Sequence, residues 1–116
     1  MVTTTPSTIS KNILGLCSEL VQTPEPIYLE VEAIQGAPLR ECFTIVDEQI
    51  QNHGGSCCYG WQIWEWPLVM IEAEFHAVWR NGNGVLHELT PKQIKVDRIL
   101  FLPEPVKSYI GKQVSS

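Results

Sequence analysis

"VMIEAEFHAVWRNGNGVLHELT", Val69 to Thr90, reads as two strands and a turn. Ile71, Ala73, Phe75, Ala77 and Trp79 alternate with Glu72, Glu74, His76 and Val78. Alternation with a period of two marks a strand with one face in a core. "NGNG", Asn81 to Gly84, then supplies residues that tolerate positive φ, a strong hairpin signal. The expected strands are about Val69–Arg80 and Val85–Thr90. Two carboxylates and an imidazole on one strand face need a reason. They are a solvated face, a metal site or part of a catalytic set.

Upstream, "GWQIWEW" predicts a strand over about Gly60–Trp66, and downstream a further strand is expected at Arg98–Leu102. "IYLEVEA" repeats the period: Ile27, Leu29, Val31 and Ala33 face one way, Tyr28, Glu30 and Glu32 the other. Ser10 is placed to cap a helix running to about Val21, with Ile13, Leu14, Cys17, Leu20 and Val21 at helical spacing. Pro24 and Pro26 in "TPEP" stop it. Gly36 and Pro38 turn the chain into a second helix, about Leu39–Asn52, whose apolar stripe is Leu39, Cys42, Phe43, Val46 and Ile50. Gly54 in "NHGG" closes it. The expected fold is α+β, with N-terminal helices packed on an antiparallel sheet of about four to five strands. Residues 1–9 are expected to be a flexible N-terminus, 10–105 a single domain, and 106–116 a loosely held C-terminal tail.

The 116 residues are 44% hydrophobic and 18% charged, which suits one packed core and excludes global disorder. Net charge is −5 and no run of Lys or Arg reaches three, so a basic footprint for nucleic acid or an anionic membrane is absent. The apolar runs are far shorter than the roughly 20 residues of a membrane helix. "MVTTTPSTIS" lacks a charged-then-apolar signal pattern, so a cytoplasmic protein is expected. Cys17, Cys42, Cys57 and Cys58 contain no CxxC pair and are expected as free thiols. Cys17 lies on an apolar stripe and reads as core. The Cys57–Cys58 pair reads as a loop or the start of a strand, without a chemical role.

Two residues carry candidate chemistry. Cys42 falls within the first turns of the second helix, and helix N-termini favour the thiolate. It also lies on the apolar stripe, where a buried core cysteine is the plain alternative. His76 sits on a strand whose other face already supplies a full core side. A strand histidine with a helix-start cysteine upstream is an arrangement used by cysteine nucleophiles, with a third group orienting the base. Among the aromatic residues, mostly core, Trp64 or Trp66 beside Gln62 is placed to line a cleft.

The order of Cys42, then His76 in "HAV", then a polar residue on the next strand resembles the papain-like and transglutaminase-like cysteine enzyme superfamily. The resemblance implies a helix-start nucleophile, a strand histidine and an acid on the neighbouring strand. "VLHELTP" resembles the transglutaminase-like strand bearing that acid, and Glu88 stands at its position, one methylene longer than the family's Asp. Gln35-Gly36 resembles the papain-like Gln-Gly that supplies an oxyanion donor. "YGWQIWEWP" followed by "EAEFHAVW" is similar to a small bacterial and phage family. The implied protein is a minimal papain-like cysteine hydrolase or acyltransferase acting on an amide or thioester bond. Its catalytic residues would be Cys42, His76 and Glu88, with Gln35, Gln62, Trp64 and Glu74 toward the oxyanion and substrate. The substrate would be a peptide or small molecule, with no metal, cofactor, nucleic acid or membrane required. The alternatives are a noncatalytic binding or interaction module on the same fold, and a metal-binding domain using His76, His87 and Glu74.

The hairpin register separates these readings. A three-residue loop, Asn81–Asn83, pairs Arg80 with Gly84 and sets His76 directly opposite Glu88, as does a five-residue loop, Arg80–Gly84. A two-residue loop, Gly82–Asn83, pairs His87 with Val78, puts His87 on the His76 face and turns Glu88 away. The first arrangement builds a histidine–carboxylate pair; the second, with Glu74, suits a metal.

Overall fold

A computed structural model describes residues 3–105. The expected C-terminal tail, 106–116, lies outside the described residues. The order of elements is α1 (Lys11–Leu20), β1 (Ile27–Glu30), α2 (Cys42–His53), β2 (Ser56–Trp66), β3 (Met70–Arg80), β4 (Leu86–His87) and β5 (Arg98–Pro103). The five strands form an antiparallel sheet in the order β1-β5-β2-β3-β4. The expected α+β architecture is present: two helices packed on an antiparallel sheet.

Both helices lie on one face of the sheet. Ile13, Cys17 and Val21 of α1 pack on Ile63, Leu100 and Leu102. Cys42 and Val46 of α2 pack on Ala77, with Tyr59 and Trp79 beside them. Ser10 caps α1 as its sequence suggests, accepting a bond from Ile13 N at 3.2 Å. The other face curls around Cys58, Val78, Ile99 and Phe101. That curl brings the two sheet edges together. Val31 forms a parallel bridge with Glu88, and the N–H groups of Glu32 and Ile34 donate to the carbonyls of Glu88 (2.8 Å) and Leu89 (3.1 Å). The sheet is therefore nearly closed, its two outer segments joined at Val31 and Glu88.

Several boundaries differ from the sequence expectation. The second helix starts at Cys42, not Leu39. Arg40 adopts φ 60° and breaks the helical path before it. β2 starts at Ser56, not Gly60, which places Cys57 and Cys58 at the strand's entry, one of the two expected positions. β4 is only Leu86–His87, because Glu88 leaves β3 to bridge Val31. Residues 3–9, expected as a flexible lead-in, lie against the sheet. Thr4 exchanges two 2.8 Å backbone bonds with Glu65, and Tyr28 Oη donates to Pro6 O at 2.6 Å. Among the described residues no helix is long and apolar enough to cross a membrane.

The hairpin register is settled by a three-residue loop, Gly82–Gly84. Asn81 N donates to Val85 O at 2.9 Å, and Trp79 pairs with His87 and Arg80 with Leu86. Gly84 takes φ 84°, and Asn81 Oδ1 accepts from the N–H groups of Asn83 and Val85 at 2.9 and 3.0 Å. The loop lies one residue further along than the three-residue loop expected from the sequence. Glu88 still shares a face with His76, but it stands diagonal to it, one pair from the direct partner.

Gly60 pairs with His76 on β3. A Cβ at Gly60 would meet Leu102 O at 2.3 Å and the Phe101 ring at 2.6 Å. The absent side chain lets β5 lie close and leaves Phe101 edge-on to the His76 ring, centroids 6.3 Å apart. Replacing Gly60 with Ala is expected to lower stability by roughly 1–3 kcal/mol, since backbone must shift to relieve the overlap. Urea denaturation checks this, and a variant as stable as the wild type would contradict the close approach.

Candidate active site

β3 is paired with β4 only at Trp79 and Arg80, so from Met70 to Val78 its second edge carries no strand. The first turn of α2 comes to that edge from the helix-covered face. Cys42 is the first residue of α2 and is 7% exposed. Glu41, in the capping position, makes no side-chain cap. The first-turn N–H groups, which have no partner within the helix, thus receive no cap from the Glu41 side chain.

His76 projects from the opposite face of β3 and is 5% exposed. Its Nε2 bonds Glu88 Oε2 in a short, buried contact. Cys42 lines the same cleft as the ring and favours its protonated form. Burial is the largest influence on the imidazole and favours its neutral form. Cys42 and Glu88 together outweigh it and hold the group above its ordinary value.

Glu88 is fully buried. Burial alone would push its carboxyl up. The His76 ring, the Lys92 ammonium and the Thr90 N–H hold it below the ordinary carboxylate value instead. Thr90 N donates to Oε1 at 3.0 Å, and Lys92 Nζ stands 3.4 Å from Oε2. Lys92 also donates to Gln62 Oε1 at 2.9 Å. The diagonal offset of Glu88 explains its length. Diagonal neighbours lie about 7–8 Å apart, a gap the extra methylene of Glu helps to close.

Cys42, His76, Thr90, Lys92 and Gln62 line a cleft of about 610 Å³ that also includes Trp64 and Glu74, and Glu88 is not part of its lining. Trp64 Nε1 donates to Glu74 Oε1 at 3.0 Å, which fixes both side chains in the wall. Gln62 Nε2 and Thr90 Oγ1 are buried without a hydrogen-bond partner among the described residues. Glu72 and Glu74 are exposed at the rim.

Not every expected residue arrives here. Gln35 is exposed and does not line the cleft. It sits at the apex of a turn closed by Ala37 N donating to Ile34 O, with Gly36 at φ 82°. His87 lies on the other face, opposite Trp79. Its Nε2 accepts from Asn81 Nδ2 at 3.1 Å and its Nδ1 bonds Glu32 Oε2 at 2.8 Å. His76, His87 and Glu74 are therefore not brought together. No group of three His, Cys, Asp or Glu among the described residues is arranged to hold a metal. Lys92 and Thr90 were not singled out from the sequence. Lys92 does stand four residues after Glu88, but Pro91 forbids the helix that would give that spacing meaning.

No family model, curated protein or solved structure matches this chain.

The pair has a defined pH window. The Glu88 carboxyl is lowered in the fold, so its contribution is present above the ordinary carboxylate range and is lost as pH falls through the lowered value. His76 is raised, so its contribution is present below the ordinary imidazole value and is lost as pH rises through the raised one. Glu88→Ala is expected to cost about 3–5 kcal/mol where the pair is ionised, because it leaves a buried partner uncompensated. Denaturation series across pH should show the gap to wild type narrowing in acid. A gap independent of pH would show that the pair is not ionised in the fold.

Proposed function

We propose that the chain is a minimal papain-like cysteine enzyme, a hydrolase or acyltransferase acting on an amide or thioester bond. The observation that supports the reading is the buried His76–Glu88 pair beside a cleft that the helix-start Cys42 also lines. A histidine held between a thiol and a carboxylate is the arrangement a cysteine nucleophile requires.

In this mechanism Glu88 accepts the Nε2–H of His76 and fixes the tautomer, leaving the Nδ1 lone pair toward Cys42. Cys42 Sγ attacks the carbonyl carbon while its proton passes to Nδ1. The carbonyl electron pair moves onto oxygen, and that oxyanion is met by the uncapped N–H groups at the start of α2, that of Cys42 among them. Gln62 Nε2, rather than Gln35, is the side-chain donor available to a substrate carbonyl. The tetrahedral centre then collapses, expelling an amine or thiol that takes the proton from His76. Water, or an acceptor amine, attacks the thioester so formed, with His76 as base, and Cys42 is released. Trp64 and Glu74 form the wall against which a peptide or small molecule would lie. The reading places the protein in the cytoplasm, where a reduced Cys42 persists.

A noncatalytic binding module is the second reading, favoured by the low exposure of Cys42, 7%. Thiol reactivity separates the two. Burial pushes the Cys17, Cys57 and Cys58 thiols up, so they form a slow background. With iodoacetamide at pH 6, Cys42 is expected to alkylate at least ~10-fold faster than an unperturbed thiol. His76→Ala should abolish that advantage and Cys42→Ser should remove the labelled site. A wild-type rate equal to that of an ordinary thiol would sink the enzyme reading and leave the binding module.

A further inference from the structure

The site contains a cation that the mechanism above does not use. The Lys92 side chain is only 8% exposed, and it lines the same cleft as His76. A lysine so little exposed needs both a charge partner and acceptors for its protons. Lys92 has both: Glu88 Oε2 at 3.4 Å and Gln62 Oε1 at 2.9 Å. Gln62 is itself 1% exposed, and its own Nε2 has no partner among the described residues. Its Oε1 is thus turned to the ammonium while its other amide atom goes unbonded. The cost of that orphan is accepted in exchange for holding Lys92 in place.

We propose that Lys92 is a positioning residue of the site, a standing counter-ion that holds the buried Glu88 in its ionised form whether or not His76 carries a proton. The inference rests on the Cys42–His76–Glu88 reading for its catalytic meaning, although the contacts themselves do not.

The physical need is simple. A carboxylate with no solvent access and only His76 as partner would be stable as an anion only while the imidazole was charged. The two would then gain and lose charge together, and His76 would be held as imidazolium, a poor proton acceptor. Lys92 breaks that dependence. Its charge stays beside Glu88 while the proton on His76 comes and goes. The titratable and charged groups acting on His76 are few: Cys42 from α2, and Glu88 and Lys92 from the segment after β4. β2 and β5 present Gly60 and Phe101, which carry no charge. Lys92 is the member that opposes protonation of the ring, whereas Cys42 and Glu88 favour it.

The experiment follows the His76 ring by two-dimensional proton–nitrogen NMR across pH in the intact chain. Wild type is compared with Lys92→Met, which keeps length and removes charge, and Lys92→Arg, which keeps charge. The His76 midpoint is expected to move to higher pH in Lys92→Met and to return toward wild type in Lys92→Arg. A residue that only fills space would give no such rescue. A midpoint unmoved by Lys92→Met, or moved equally by both variants, overturns the proposal. Should Lys92→Met fail to fold, Gln62→Leu releases the ammonium without removing it. An upward shift relative to wild type then supports the proposal, and no shift overturns it. Alkylation of wild-type Cys42 is measured alongside. An ordinary rate there counts against the enzyme reading alone, since the His76 midpoints are read whatever that rate is.

Discussion

Glu88 carries its carboxyl group fully out of contact with bulk solvent, and the surrounding structure is arranged to make that tolerable. Its side chain takes His76 from β3, the Thr90 N–H from its own segment and Lys92, which in turn is held by Gln62 of β2. Its backbone does a second task. The Glu88 carbonyl accepts from Glu32 N, and the residue bridges Val31, so one position both closes the sheet and anchors the histidine. A buried charge left short of partners costs several kcal/mol, which ties the local geometry of the site to the global closure of the fold.

The shortness of β4 follows from the same residue. Had the strand continued alongside β3, it would have covered the edge where α2 now begins. Because the chain departs after His87 to meet β1, that edge stays open, and Cys42 and His76 line one cleft there. The turn that starts β4 sets this up. Gly84 at φ 84° permits a three-residue loop, and the Asn81 side chain holds its backbone. The register it produces leaves Glu88 diagonal to His76. A glutamate rather than an aspartate is therefore the acid that fits.

The two faces of the sheet divide the work. The face beneath the helices is packed with aliphatic and aromatic side chains and supplies rigidity. The curled face mixes a small apolar cluster with the polar set of Gln62, His76, Glu88 and Lys92. Phe101 lies edge-on to His76, with Gly60 across from it, so the ring is braced by apolar contact as well as by hydrogen bonds.

The sequence by itself determined the elements: period-two strands, a capped first helix, a glycine-rich hairpin and thus an α+β fold. These are local, since each depends on residues a few positions apart. His76 could be singled out the same way, as a polar residue on a strand that already had a core face, whereas Glu88 was marked by the resemblance of "VLHELTP". Cys42 could be named, but its place as the first residue of α2 depended on Arg40 adopting positive φ. The tertiary structure alone decided which residues meet. Lys92 has no local pattern to mark it, because its partners come from β2 and from a segment that is not helical. Gln35 and His87 had plausible patterns and were carried elsewhere, one by a turn and the other by register. A shift of one residue in a hairpin moves every side chain to the opposite face, and that choice belongs to the packing of the whole sheet.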